Sequence, residues 1–445
     1  MQINNFLKGS ATMAVLRYPA RVQWEVTSEC NHDCIHCYNY WRKDKEKASS
    51  LSKNFSTDYY LNLAQKIIEQ KPVIVTITGG EPLLVFEKIK PAVKRLLAAG
   101  IKVTFNTNAT LLTAEIIKFF EDNDITLFIS FPCGVREICD SITNRVNSFD
   151  RIISKLDLLK NFKVKYTLNI VVTTLNLPYL KDTVSFLKAR YNIKNISITR
   201  AAKPANSNET FDVFLLNKEK LAQLQTISVE LCKEFNIHVA TSCPYTPCSI
   251  ISQEVYDLFG EKNICTAGKT TYAIDIDGNV KACPRDSHMY GNIFNEDFST
   301  IWERIHVWRD ETFLPPKCKE CNKLSECLGG CRVSAYTMTG SMNGIDDVSN
   351  FENIPIKFEH PNKTHSFANF NSFTVNPEAV FVFDKDTIRV SVERKYAFLT
   401  QKLYSFLKNS PCFSFEEFLN FFKVDTCLGN NVIGTLLASN IIIKS

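Results

Sequence analysis

Sixteen cysteines punctuate this chain, and eleven of them stand in short-spaced groups: Cys30, Cys34 and Cys37; Cys243 and Cys248; Cys265 and Cys283; and Cys318, Cys321, Cys327 and Cys331. Thiols at such intervals either pair as disulfides or converge on a metal, and either outcome dictates which distant segments must meet. The compartment decides between them. No run of ~18 apolar residues occurs, and Met1 to Pro19 lacks the apolar centre of a signal peptide, so a cytoplasmic location is expected. In that reducing setting clustered thiolates bind metal rather than oxidise. Cys133, Cys139, Cys412 and Cys427 stand singly and read as small buried hydrophobes, while Cys232 is only loosely associated with the second group.

The surroundings of these cysteines divide the chain. Residues 1–20 form an N-terminal segment. From 21 to 235, β-rich runs alternate with amphipathic helical patterns. The strands are expected at Val22 to Thr27, Val73 to Thr78, Lys102 to Asn106, Ile125 to Phe131, Lys165 to Thr173 and Asn195 to Thr199; helices at Tyr59 to Glu69, Glu87 to Ala99, Ala114 to Asp122 and Phe149 to Lys160 lie between them. Six β-α units with nearly continuous apolar strands predict an α/β fold whose parallel sheet is covered by helices, open or barrel-like.

From 236 to 350 the pattern turns to short segments and clustered cysteines, with one strong hairpin signal around Asp277-Gly278-Asn279. Little of this stretch could bury a core alone, so metal is expected to supply part of its folding energy. Residues 351–372 read as a linker. Residues 373–445 read as a small winged-helix-like domain: a hairpin turning at Asp384-Lys385-Asp386, an amphipathic Tyr396 to Leu407, a Ser414/Glu417 capping box and a helix at Asn431 to Ala438 before Ile441 to Ile443. Three domains agree with the length of 445 residues at ~150 per domain.

Charge excludes some partners. The net balance is only +5, and from Phe351 to Ser445 ten basic residues face nine acidic ones, which gives no basic face for nucleic acid and no attraction to an anionic membrane.

Cys30-x3-Cys34-x2-Cys37 follows the first strand directly. Soft thiolates at this spacing, without paired zinc knuckles, suit an iron–sulfur cluster. Three ligands leave one iron of a cubane open, as a catalytic metal keeps a free position; a zinc site, or a cluster completed by His32 or His36, is the alternative. Gly79-Gly80-Glu81-Pro82 ends the second strand, where paired glycines let the backbone approach a ligand at the C-terminal edge of a parallel sheet.

Together these two motifs resemble the radical SAM superfamily. The resemblance implies a partial (β/α)6 TIM barrel over 21–235. It further implies that Cys30, Cys34 and Cys37 hold a 4Fe–4S cluster whose open iron chelates S-adenosylmethionine. Reductive cleavage of that cofactor gives methionine and a 5′-deoxyadenosyl radical, which abstracts a substrate hydrogen. Gly79, Gly80, Glu81, Pro82 and Ser130 would place the cofactor, with His36 stacking near adenine. Thr107-Asn108-Ala109-Thr110-Leu111-Leu112 is similar to the motif after the family's third strand. The family's Ser-Leu-Asp-Gly reads here Ser130-Phe131-Pro132-Cys133, so its aspartate is absent.

The second array, Cys265-x12-Gly278-x4-Cys283 and then Cys318-x2-Cys321-x5-Cys327-x3-Cys331, is similar to the SPASM extension of radical SAM peptide maturases. By that resemblance Cys248, Cys265, Cys283 and Cys331 hold a first auxiliary cluster, with Cys243 as the alternative to Cys248. Cys318, Cys321 and Cys327 hold a second, or a smaller cluster or none forms there. The family's last cysteine falls on Ser349, so Asp346, Asp347, Ser349, solvent or a substrate atom is expected as its fourth ligand. The implied function is modification of a peptide or protein substrate by thioether or carbon–carbon crosslinking, epimerisation or oxidation, with a flavodoxin or ferredoxin as reductant. The C-terminal domain would capture a leader peptide by strand addition. The rivals are an anaerobic sulfatase maturase forming formylglycine and, outside enzymes, an iron–sulfur electron carrier or regulator.

Overall fold

Strands that are apolar along nearly their whole length must be covered on both faces, and the helices between them do this. The structure, a computed structural model, describes residues 19–39, 55–204, 209–260, 265–349 apart from 311 and 322, and 372–444 apart from 385, 386, 393, 394 and 425. Most of the N-terminal segment and residues 351–371 of the expected linker lie outside the described residues. The first part runs β1 (Arg21–Glu25), α1 (Thr57–Glu69), β2 (Ile74–Thr78), α2 (Phe86–Ala98), β3 (Lys102–Thr107), α3 (Ala114–Asp122), β4 (Thr126–Ser130), α4 (Arg136–Thr143), α5 (Ser148–Leu159), β5 (Tyr166–Val172), α6 (Leu180–Tyr191), β6 (Asn195–Arg200), α7 (Lys218–Phe235) and β7 (His238–Ala240). Successive strands pair in parallel in chain order, as in Trp24 opposite Ile77 and Phe105 opposite Leu127.

Local chemistry starts these helices where the turn demands it. Ser56 caps α1 by accepting from the Tyr59 N–H, and Thr113 and Asn217 cap α3 and α7 in the same way. In α1 the buried residues Tyr60, Leu63, Ala64 and Ile67 follow the i, i+3, i+4, i+7 spacing of one face, which packs on the sheet.

The cysteine-rich region adds α8 (Gln253–Phe259), β8 (Thr271–Ile274), β9 (Asn279–Lys281), β10 (Gly291–Asn292), α9 (Phe298–Arg304), α10 (Pro316–Lys319), α11 (Leu324–Cys327) and α12 (Arg332–Thr339). Its hairpin does not stand apart. β8 pairs in parallel with β1, so a ten-stranded sheet runs β10-β9-β8-β1-β2-β3-β4-β5-β6-β7. A buried ion pair, Lys281 Nζ to Glu25 Oε2 at 2.6 Å, fastens β9 to β1. One hydrophobic core therefore extends from Val22 to Val348. The change of pattern near 235 marks a change of element type rather than a second core, which is how a stretch too short of apolar residues remains folded.

The C-terminal part comprises β11 (Phe373–Val375), β12 (Val380–Asp384), β13 (Thr387–Val392), β14 (Lys395–Leu399), α13 (Gln401–Asn409), β15 (Cys412–Phe413), α14 (Phe415–Phe422), α15 (Thr426–Ala438) and β16 (Ile442–Lys444), around a core of its own that includes Phe373, Leu403, Phe418 and Leu436. The reciprocal Ser414/Glu417 capping box opens α14. The helix expected from Tyr396 starts only at Gln401, because Lys395–Leu399 pairs with β13 as a third strand. Arg389 of β13 donates to the carbonyls of Pro19 and Lys71, at the N-terminal ends of β1 and β2. Among the described residues no helix is long and apolar enough to cross a membrane.

Candidate functional site

The three cysteines of the first group lie on a loop that leaves β1 and is clamped on two sides. On one side Gly80 and Glu81 donate their N–H groups to the Thr27 and Glu29 carbonyls, at 2.6 and 2.7 Å. On the other, the Asp33 and Ile35 N–H groups reach the Thr143 and Ile142 carbonyls at the end of α4, at 3.0 and 2.9 Å. The Asn31 side chain joins Thr110 and Asn108 after β3, each at 2.8 Å. The loop is therefore held to the sheet edge and to α4 by main-chain bonds, with Asn31 adding side-chain bonds to the segment after β3.

The clamp gives the paired glycines a different reason from the one expected. A Cβ on Gly79 or Gly80 would collide with the Thr27 or Glu29 carbonyl oxygen, and Gly79 also adopts φ +129°. The close approach they permit is that of the cluster loop itself. Glu81 is likewise a strut. Its carboxylate accepts from Thr107 Oγ1 at 2.7 Å, the Asn108 N–H at 2.8 Å and the Leu83 N–H at 3.1 Å, and burial pushes its pKa up to about 7. Pro82 opens a buried single turn and is not on the cavity wall.

A cavity of about 210 Å³ opens where the strands end. Cys30, Cys34, Cys37, His36, Gly79, Gly80, Glu81 and Ser130 all line it, so nearly all of the first-site residues picked from sequence meet there. Residues not assigned to this site also reach it: Asn39, Asn169, Thr199, Arg200, Cys243 and Arg285. Thr199 and Arg200 are the last two residues of β6, a signal available in the sequence. Arg285 comes from beyond the cysteine-rich hairpin and carried no such signal.

This wall is unfinished in polar terms. His36 Nδ1 and Asn39 Oδ1 are buried with no hydrogen-bond partner among the described residues, and burial pushes the His36 pKa down to about 4, so its ring is neutral. Three thiols beside unsatisfied polar atoms fit an iron–sulfur cluster and a polar organic cofactor.

Behind Arg200 and Arg285 lies the second group. Arg285 Nη1 is 3.4 Å from Cys331 Sγ and donates to Ser334 Oγ. Burial pushes up the Cys243, Cys265 and Cys283 thiols, each of which feels the Cys331 thiol. Cys243 lines the cavity beside Arg285 and stands near this set. Cys248, the residue expected there, is felt instead by the Cys318 and Cys327 thiols. Among the described residues no three His, Cys, Asp or Glu side chains close on one ion; a cubane does not ask this, since each thiolate binds a different iron.

Both expected carboxylate ligands are already engaged. Arg200 holds Asp347 bidentately, at 2.7 and 3.0 Å, and lies 3.5 Å from Asp346. Burial opposes ionisation of Asp347, but Arg200 overcomes it and holds the pKa down at about 2. Asp346 accepts from the Cys331 and Val348 N–H groups, and burial, with Asp347 beside it, drives its pKa upward.

Comparison with known proteins agrees with this layout. The radical SAM superfamily matches residues 24–187, and the SPASM iron–sulfur cluster-binding domain matches residues 265–322. The chain carries a radical SAM domain and a SPASM domain. An AdoMet-dependent heme synthase of Methanosarcina barkeri is 25% identical over 350 residues, covering 74% of this chain and 95% of that protein. The mycofactocin maturase MftC of Mycolicibacterium smegmatis is 26% identical over 336 residues, covering 74% and 82%. Among solved structures, Streptococcus suis SuiB bound to precursor peptide SuiA shares the fold with a TM-score of 0.59 at 19% identity, covering 76% of this chain and 77% of that one. Most of the cavity lining, from Cys30 to Val171, falls within the radical SAM match, and Cys265 to Cys321 fall within the SPASM match.

Proposed function

We propose that this radical SAM enzyme modifies a residue within a peptide or protein, drawing electrons from a flavodoxin- or ferredoxin-type carrier in the cytoplasm. The observation that carries the reading is the shared cavity: Cys30, Cys34 and Cys37 line one side of it, and Cys243 with Arg200 and Arg285 the other. A substrate seated between would touch both the radical source and the edge of the auxiliary domain. The names of two relatives support the class, since one is a maturase and another was solved with its precursor peptide. The separate C-terminal core offers a module that could hold such a peptide.

Cys30, Cys34 and Cys37 would hold the cluster that reductively cleaves S-adenosylmethionine to the 5′-deoxyadenosyl radical. Gly79 and Gly80 keep the loop against the sheet edge, and Glu81 ties it to β3. Neutral His36 offers a ring face and an unprotonated nitrogen, while Ser130 and Thr199 offer polar groups near strand ends and Asn169 offers one within β5. Arg285 places positive charge on the far wall, which favours an electron-rich group there, whereas the charge of Arg200 is met by Asp347.

A second reading, with a small-molecule substrate, is favoured by the heme synthase match, which runs over 95% of that protein. Reconstituted protein reduced with dithionite should form 5′-deoxyadenosine from S-adenosylmethionine; no product would sink the catalytic reading. Deuterium transfer to 5′-deoxyadenosine from a labelled candidate peptide, and not from a porphyrin, would decide between substrates.

A further inference from the structure

The auxiliary region has one more ligand than its spacing suggested. The motif leaves Cys318, Cys321 and Cys327 short of a fourth group, and the two carboxylates nearest in sequence are committed elsewhere. Asp347 is held by Arg200 in a two-bond fork, and Asp346 is held by two main-chain N–H groups and by Arg200. Withdrawing Asp347 to bind iron would strand a buried guanidinium, and withdrawing Asp346 would leave the Cys331 and Val348 N–H groups without their acceptor.

A thiol is nearby. Cys248 sits on a single turn, Pro247–Ser249, whose shape is set by the Ser249 N–H to the Thr246 carbonyl at 2.8 Å. Gln225 of α7 pins the turn from behind, donating to the Ser249 carbonyl at 2.9 Å and accepting from the Ile251 N–H at 3.1 Å. Cys248 Sγ is 3.3 Å from Thr246 Oγ1, and Thr246 packs on the loop between Cys327 and Cys331, where a Cβ on Gly330 would lie 2.7 Å from Thr246 Cγ2. The turn thus sets the Cys248 thiol beside Thr246, which packs on the loop leaving the end of α11 at Cys327. Cys243, five positions earlier, opens instead into the cavity with Arg285, the residue that touches Cys331.

We propose that Cys248 is the fourth ligand of the second auxiliary cluster, with Cys318, Cys321 and Cys327, and that Cys243 completes the first with Cys265, Cys283 and Cys331. The segment between β7 and α8 then serves both clusters, one thiolate to each, with Thr246 between. The Asp346–Asp347 pair becomes a brace for Arg200 and for the Cys331 N–H. Both sets are fully cysteinyl, so neither auxiliary cluster has an iron open to substrate, and substrate contact falls to the cavity wall.

The test uses the full chain with Cys30, Cys34 and Cys37 replaced by Ala, reconstituted anaerobically with iron and sulfide. It rests on the presence of two auxiliary cubanes, which this parent reports by itself with about eight irons; about four would overturn the proposal. Adding Cys248→Ala should lower the iron count and remove or convert one of two Mössbauer and EPR components. Adding Cys243→Ala should affect the other component. Cys248→Ser, which keeps a ligand of similar size, should retain iron with a shifted EPR spectrum. Ser349→Ala should leave the spectra unchanged. Full iron content with an unaltered spectrum in both Cys248 variants, or loss of a component in Ser349→Ala, would overturn it.

Discussion

Arg200 Nη1 and Asp347 Oδ2 lie 2.7 Å apart with almost no access to solvent, joining the end of β6 to the last segment of the auxiliary domain. The bond matters because breaking a buried pair leaves a charge that neither water nor protein satisfies. Arg200→Met should cost about 3–5 kcal/mol of stability. Denaturant unfolding of the reconstituted protein measures it, and a change under 1 kcal/mol, roughly that of a surface pair, would show that the pair is solvated in solution.

The cluster loop depends on Gly80 for a steric reason. A Cβ there meets the Glu29 carbonyl oxygen and, at 3.0 Å, the Ser28 carbonyl carbon, both of them main chain that cannot rotate aside. Gly80→Ala should therefore displace the loop, reduce iron bound by the first cluster and cut 5′-deoxyadenosine formation by at least ~10²-fold, the scale expected of a ~1 Å misplacement near reacting groups. Normal iron content with normal turnover would show that the clamp yields.

How much of this was legible follows from where each signal lives. The strands and the helix faces are local patterns, so Val22 to Thr27 and Tyr59 to Glu69 could be placed within a few residues of their observed ends. The meeting of Cys30, Ser130 and Gly79 was legible because parallel strands deliver their C-terminal ends to one edge. The separate placement of Cys243 on the cavity wall and Cys248 beside Thr246 was not, since two cysteines five apart are parted by a turn pinned from α7. Nor was the engagement of Asp346 and Asp347, whose partner Arg200 is remote in sequence. At 395–399, alternation of Tyr, Ala and Phe suited either a strand or a helix, and pairing with β13 decided.

Two buried carboxylates give the fold a pH dependence. Burial raises both Glu25 and Glu81 from an ordinary 4.5 to about 7, although Lys281 opposes the shift at Glu25. The folded protein thus holds protons that the unfolded chain releases. Their contribution is full below pH 4.5 and is lost as pH rises towards 7. Glu81→Gln should flatten this slope. Unfolding midpoints across the interval measure it, and a parent slope of opposite sign would refute the assignment.

Lys281 of β9 is bonded to Glu25 at the charged end of β1, and both side chains are buried. Lys281→Met alone should destabilise by about 3–5 kcal/mol, whereas Lys281→Met with Glu25→Gln should recover most of that loss, because the penalty comes from the orphaned charge. A double variant as unstable as the sum of the singles would mean that the two groups act independently.

The position of Arg389 sets a length requirement on any peptide held by the C-terminal module. Arg389 docks at the Pro19 and Lys71 carbonyls, where β1 and β2 begin, whereas the cavity opens where those strands end. A five-residue strand such as β2 rises about 16 Å, and a peptide passing outside the helix layer must travel further. Between its anchored part and the residue to be modified, a substrate should therefore need roughly 6–10 extended residues. Peptides with spacers trimmed below that should lose modification while still binding, and lengthened spacers should be tolerated at modest cost. Arg389→Ala should lower kcat/KM for the full peptide and leave peptide-independent cleavage of S-adenosylmethionine unchanged. Equal modification of peptides with and without a spacer would mean that the module does not hold the substrate.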